Sequence, residues 1–187
     1  MSPNVNDFVI KVATVNGSGS ASANGLLSKS LFRMGIPVSA KNIFPSNIQG
    51  LPTWYEIRAN GAAHTGRSPN VSLLIAMNPQ TFAQDIPAVT SGGYVLYDST
   101  WPIGKDLMRN DVTYVEVPLT SLSVEAFPDV KVRLLMKNIT YVGAVAALLE
   151  VDLDVIGELL NEIYATKPHL SDANMKAIRL SYDYVKK

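Results

Sequence analysis

The chain has no cysteine among its 187 residues. That absence removes disulfides, thiolate nucleophiles, zinc–sulfur sites and iron–sulfur ligation by this chain, so any such centre belongs to a partner. Histidine is nearly absent as well, with His64 in a loop and His169 after Lys167-Pro168. Neither has a carboxylate or second histidine at metal spacing, which speaks against a metal site, and both read as surface residues. A serine hydrolase would need one of those two as base and a G-x-S-x-G turn, which is missing. The phosphate loop of nucleoside triphosphatases is missing too, because Gly104-Lys105 is followed by Asp106 and lacks the earlier glycine.

Charge of one sign is also lacking. The 16 basic and 16 acidic residues give a formal net charge of zero and are scattered, so neither nucleic acid nor an anionic membrane surface is expected as a partner. Long hydrophobic runs do not occur. The first apolar run is interrupted at Lys11 and has no positive charge ahead of it, and residues 139–149 are too few to span a bilayer. The simplest reading is a cytoplasmic protein. With 47% hydrophobic residues, the chain can bury a core as one α/β domain.

What is present is organised around one stretch. An apolar strand, Phe8–Val15, runs into Asn16-Gly17-Ser18-Gly19-Ser20 and then a small-residue helix that ends near Met34-Gly35. Gly35 suits a helix C-cap, and Pro37 stops the helix resuming. A strand, glycine loop and helix start aim backbone N–H groups and the positive end of the helix dipole at one point, which suits a phosphate or another anion. Ser18, Ser20 and Ser22 add hydroxyl donors. Gly17 and Gly19 supply G-x-G, but Ser22 stands where a dinucleotide site has its third glycine. The same residues also suit a tight turn that lets helix and strand pack closely.

Further strands are expected at 36–40, at 54–58 (half-exposed, antiparallel at a sheet edge), and at 71–77, 92–98 and 112–117. Asn78-Pro79 reads as N-cap and first-turn proline of a helix through Asp85. Helices follow at 120–127, 130–149, 152–165 and 171–185, with Asp152 and Ser171 as N-caps. This order predicts an α/β fold: a doubly wound, mostly parallel, Rossmann-like sheet flanked by helices, with a C-terminal helical segment. Residues 59–70 read as the most mobile loop. Residues 41–52 read as an ordered loop anchored by Ile43, Phe44, Ile48 and Leu51, and within it Ser46, Asn47, Gln49 and Gly50 could form a second wall of the cleft that begins at Gly17. On the 130–149 helix, Leu134, Leu135, Ile139, Val142, Val145, Ala146 and Leu149 form an apolar face. Arg133 and Lys137 fall four apart, as an anion-binding pair or a solvated face, with Asn138 at the flank of the apolar stripe. Asp98 closes a strand, as a ligand-edge residue or a turn residue.

Several segments together resemble a known family over essentially the whole chain. They are Val15-Asn-Gly-Ser-Gly19 with its helix, Asn47-Ile-Gln-Gly50 leading to Tyr55-Glu-Ile-Arg58, Gly92-Gly-Tyr-Val-Leu-Tyr-Asp98, and Val117-Pro118. Lys137-Asn138 through Val142-Gly-Ala144 and the closing Asn174–Tyr182 complete the set. This pattern is similar to the γ domain of 2-oxoacid:ferredoxin oxidoreductases, the pyruvate/ketoisovalerate oxidoreductase catalytic domain. The resemblance implies part of an enzyme that oxidatively decarboxylates a 2-oxoacid with coenzyme A, giving acyl-CoA, carbon dioxide and electrons for ferredoxin or flavodoxin. It implies thiamine diphosphate, magnesium and iron–sulfur clusters on the α and β partner parts, and a homodimer of the assembled unit. This chain would make no bonds alone; it would help hold coenzyme A and cover the active site. The site residues so implied are Asn16, Gly17, Ser18, Gly19, Ser20, Ser46, Asn47, Gln49, Gly50 and Asn138. Ser18 replaces a glutamine common in the family's G-G-Q-G loop, and the Asn47 segment replaces Arg-Gly-Gly. The latter form is more like the branch with γ fused ahead of α, which implies 2-oxoglutarate as substrate. On this reading residues 1–187 are a single γ-type domain or the first domain of a longer γ–α chain; the alternative is a free-standing CoA- or nucleotide-binding regulatory or scaffold module.

Overall fold

In the computed structural model, six strands form one mixed sheet in the order β2-β3-β1-β4-β5-β6. The strands are β1 (Asp7–Val15), β2 (Val38–Ile43), β3 (Pro52–Asn60), β4 (Val71–Ala76), β5 (Val89–Asp98) and β6 (Thr113–Val117). The helices are α1 (Ser20–Arg33), a four-residue α2 (Phe82–Asp85), α3 (Leu119–Ala126), α4 (Val130–Leu149), α5 (Leu153–Ile163) and α6 (Pro168–Lys186). The described residues are 6–45 and 48–187, without the side chains of Lys131, Leu134 and Leu135. Backbone contacts divide the chain into a sheet unit, Met1–Ser18 with Gly35–Glu116, and a helical unit, Gly19–Met34 with Val117–Lys187.

The sheet unit is built on β1. It pairs antiparallel with β3 from Asp7↔Asn60 to Val15↔Pro52, and parallel with β4 from Ile10↔Leu73 to Ala13↔Ala76. β4 pairs parallel with β5. The expected antiparallel pairing of the Trp54–Arg58 strand is found, but β3 is not the edge. β2, which runs on to Ile43, pairs outside it, because alternating polar residues on β3 are half-covered by that neighbour. Gly92 and Gly93 do not turn the chain ahead of β5. The strand begins at Val89, and the register shifts between Val71 and Leu73, where Gly92 has φ 77° and a Cβ on Gly93 would lie 2.9 Å from Ser72 O. A bulge of this kind needs residues without side chains.

One face of the sheet carries Ala13, Leu74, Ala76, Val95 and Tyr97 under Phe82, Ile86 and Ile103. The crossover from β4 to β5 supplies Phe82 and Ile86, and the loop after β5 supplies Ile103. Asn78 Oδ1 accepts from Gln80 N at 3.2 Å and Pro79 follows at the first position, as their residue types demand. Arg109 fastens the far end of the crossover by donating to Ile86 O (3.2 Å) and Val89 O (2.7 Å) while it pairs with Asp111. At the rim Asp85, fully buried, accepts from Lys11 Nζ at 2.8 Å and from Trp54 Nε1 at 2.9 Å, and the Lys11 ammonium lies 5.5 Å from the Trp54 ring centre. This explains the one charge inside the first strand: the half-buried lysine has a carboxylate and an aromatic face.

The expected mobile loop is tied down by Asn60, whose Oδ1 accepts from Ala62 N and His64 N, and by Arg67 on Glu56 and Arg58 on Gly66 O. Of the four apolar residues expected to anchor the 41–52 stretch, Ile43 is half-buried at the end of β2 and the other three are not anchors. Phe44, Ile48 and Leu51 are 51%, 65% and 40% exposed. Hydropathy alone cannot say whether the surface that covers an apolar loop belongs to the same chain.

The helical unit packs around α4. Ile139, Val142, Val145 and Ala146 are buried as expected, and Tyr141 O–H donates to Asn24 Oδ1 at 2.7 Å. Gly143 lets α6 approach: a Cβ there would meet Ile178 O and Ser181 Oγ. Ser181 Oγ in turn bonds Thr140 O and donates to Ile178 O. Asp152 caps α5 by accepting from Asp154 N at 2.8 Å. Ser171 is not a cap. α6 opens at Pro168, whose fixed φ suits a first helical position, and Ser171 is buried, donating to Asn161 Oδ1 at 2.6 Å.

Candidate functional site

At the carboxyl end of β1 the chain turns through Asn16-Gly17-Ser18, and this turn is stitched to the segment that enters β3. Asn16 N donates to Leu51 O (2.8 Å), Gly50 N donates to Asn16 O (3.0 Å), and Asn16 Nδ2 donates to Ile48 O (3.1 Å). Ser18 N closes the turn on Val15 O at 3.1 Å. Gly17 has φ 80° and Gly50 φ 89°, values that glycine adopts without strain. A Cβ on Gly17 would also press on Gln49, 2.7 Å from its Cγ. Asn16, Gly17, Ser18, Gln49 and Gly50 are thus brought together at one turn. Ser46 and Asn47 lie outside the described residues.

Gly19 and Ser20 belong to the helical unit. Gly19 is the N-cap of α1 with φ 82°, and no side chain caps the helix; the first turn holds no acidic residue. Ser20 is buried, whereas Ser22 is exposed. In the same unit a cavity of about 260 Å³ runs along α1, lined by Ala21, Ser22, Gly25, Lys29, Tyr164 and Asn174. Asn138 is also in the helical unit, buried in α4. Of the Arg133 and Lys137 pair, Arg133 is committed to Phe127 O and Pro128 O just beyond α3.

Asp98, at the carboxyl end of β5, accepts from Thr100 N at 3.1 Å while its carbonyl accepts from Trp101 N, so it is a turn residue. Beside it Tyr97 donates to Glu116 Oε2 at 3.1 Å, and burial, with that acceptor, pushes the phenol above its ordinary pKa. Asn78, read from the sequence only as a helix cap, is buried with its Nδ2 lacking any partner. Its position after a buried strand was the only signal that could have marked it. Among the described residues no cluster of histidine and carboxylate side chains could hold a metal.

The fold is that of an α/β domain with a glycine turn at the carboxyl end of its organising strand. Residues 9–184 match the profile of the pyruvate ferredoxin/flavodoxin oxidoreductase family, and the chain belongs to that family. No curated protein sequence matches it. Among solved structures it is similar to the 2-oxoglutarate:ferredoxin oxidoreductase from Magnetococcus marinus, solved with 2-oxoglutarate, coenzyme A and succinyl-CoA bound. The TM-score is 0.83 at 21% identity, over 97% of this chain and 31% of that one. It is also similar to the pyruvate oxidoreductase subunit PORC from Thermotoga maritima (TM-score 0.75, 17% identity, 95% of this chain and 96% of that one). The keto/oxoacid ferredoxin oxidoreductase γ subunit from Geobacter sulfurreducens gives 0.73 at 15% identity, over 96% and 98%. The chain therefore spans under a third of the first of these and nearly all of the other two.

Proposed function

We propose that this chain is the γ part of a 2-oxoacid:ferredoxin oxidoreductase and that it holds coenzyme A at the Gly17 turn. The observation that carries the reading is the turn itself, Asn16–Ser18 locked to Ile48–Leu51 by three hydrogen bonds, with left-handed glycines at Gly17 and Gly50. Backbone amides of a glycine turn suit the phosphates of coenzyme A without needing a cationic side chain. Bound coenzyme A supplies the thiol that receives the acyl group; this chain's residues hold and orient it and exclude water.

Thiamine diphosphate, magnesium and the iron–sulfur clusters are assigned to α and β parts, with ferredoxin or flavodoxin as acceptor. The exposed Phe44, Ile48 and Leu51 suit a surface covered by such a part. The 2-oxoglutarate branch, with γ ahead of α, is favoured by the higher fold similarity to that enzyme and by the ligands in its structure. In the assembled enzyme, Gly17→Val and Gly19→Val are expected to raise the coenzyme A requirement about tenfold or more and to affect 2-oxoacid decarboxylation less. Unchanged apparent affinity for coenzyme A in both variants overturns the assignment. Purification of the chain without α and β parts, as a stable monomer that binds coenzyme A, would favour the free-standing module instead.

A further inference from the structure

The sheet winds outward from β1 in two directions, with β3 and β2 on one side and β4, β5 and β6 on the other. Where winding reverses, the carboxyl ends of adjacent parallel strands leave a crevice in which α/β sheets take ligands. Here that place is the β1–β4 edge. Ala13 pairs with Ala76, and Met77 N donates to Ala13 O at 2.9 Å. Val15 and Asn78 each follow that last pair by two residues, so Asn78 leaves the sheet at the same edge from which β1 runs into the Gly17 turn.

Asn78 is 2% exposed. Its Oδ1 faces Gln80 N, which fixes the amide plane and turns Nδ2 away from the helix start. Nδ2 has no acceptor. A buried donor without a partner is costly, and one placed at the winding reversal has a use only if something else brings the acceptor. Asp98, level with Met77 on β5, is already turned to Thr100 N.

We infer that Asn78 is a binding residue of this site, its Nδ2 donating to an acceptor oxygen of the coenzyme A held at the Gly17 turn; the inference rests on the coenzyme A reading. The contact forms on binding, since Nδ2 is covered in the free chain. Calorimetric titration of coenzyme A into the assembled complex, without 2-oxoacid, tests it in wild type, Gly17→Val, Asn78→Asp and Asn78→Ser. Asp and Ser both keep an oxygen for Gln80 N, so the crossover start is preserved while the amide donor is lost. Both are expected to bind coenzyme A about tenfold more weakly, a typical loss for one hydrogen bond to a charged group, with a thermal midpoint no lower than wild type. Wild-type affinity in both Asn78 variants, with weakened binding in Gly17→Val, overturns the inference alone. Wild-type affinity in all three overturns the coenzyme A reading with it. Weaker binding that comes with a lowered thermal midpoint in both Asn78 variants makes Asn78 a structural cap and also overturns the inference.

Discussion

Replacing Gly143 by alanine should destabilise the helical unit, although alanine is the better helix former. The added Cβ would lie 2.7 Å from Ile178 C and closer still to Ile178 O and Ser181 Oγ. Two of these are backbone atoms of α6, so no side-chain rotation relieves them. Ordinary carbon contacts are about 3.5–4.0 Å, so the two helices must part by about 1 Å. Overpacking of that size costs about 3 kcal/mol, and separation also strains the buried bond between Ser181 Oγ and Thr140 O, worth about 1 kcal/mol. The helix-propensity gain of about 1 kcal/mol offsets only part of this. The net loss of about 3 kcal/mol corresponds to a thermal midpoint about 6–12 °C lower for a chain of this size. Thermal and urea denaturation followed by far-ultraviolet circular dichroism measure it. A Gly143→Ala midpoint equal to or above wild type would refute the close approach of α4 and α6.

Asp85→Ala should cost about 3–5 kcal/mol in urea unfolding, because it leaves the Lys11 ammonium unpaired at a side-chain exposure of 14% and strands Trp54 Nε1. Lys11→Met with Asp85→Leu should recover most of that loss, and a double variant no more stable than Asp85→Ala would contradict the pairing. The Arg33–Glu162 pair should behave in the opposite way. It is bidentate, at 2.8 and 2.6 Å, but solvent-exposed. The hydrogen bond from Arg33 holds the Glu162 pKa below its ordinary 4.5 in the folded chain, so its contribution is present above that pH and lost as pH falls through the folded value. The difference in urea midpoint between wild type and Glu162→Gln should be small at pH 7, smaller in about 1 M salt, and should vanish as pH falls through the lowered folded-state value of Glu162. A difference that stays constant through that acid titration would show that the pair acts through packing.

The order of elements was legible because periodicity and punctuation agree along most of the chain. Gly35 after α1, Asn78-Pro79 before the crossover and Asp152 before α5 each stand where a backbone terminus demands that residue type. Placement across the sheet was less legible. Nothing in Trp54–Arg58 announces that β2 pairs outside it, because a half-covered interior strand and an edge strand show the same alternation. The glycine turn could be read from Gly17 and Gly19, since left-handed backbone selects glycine. Its partner segment was visible only as polar residues between apolar ones, and the hydrogen bonds from Asn16 to Ile48 and Leu51 are contacts across more than thirty residues that no local pattern encodes. Asn78 was legible as a cap and illegible as a spare donor, because that depends on what surrounds Nδ2.

The segments that carry the family resemblance also do different physical work. Gly143, Ile178 and Ser181 set how near α6 comes to α4, and Gly92-Gly93 admits the bulge in β5. None of these presents a group to a ligand. Asn16-Gly17 with Gln49-Gly50 shapes an exposed turn and contributes little buried surface. Resemblance in the first set constrains the scaffold, and on the coenzyme A reading resemblance in the second constrains what the scaffold holds. The two sets should therefore separate by experiment. Gly143→Ala should lower the thermal midpoint and, below it, leave coenzyme A affinity in the assembled enzyme unchanged, while Gly17→Val, strained at φ 80° and against Gln49 but confined to an exposed turn, should weaken coenzyme A with a smaller change in midpoint. If Gly17→Val lost stability and affinity together to the extent of Gly143→Ala, the turn would be part of the scaffold, and the coenzyme A reading would lose the observation that carries it.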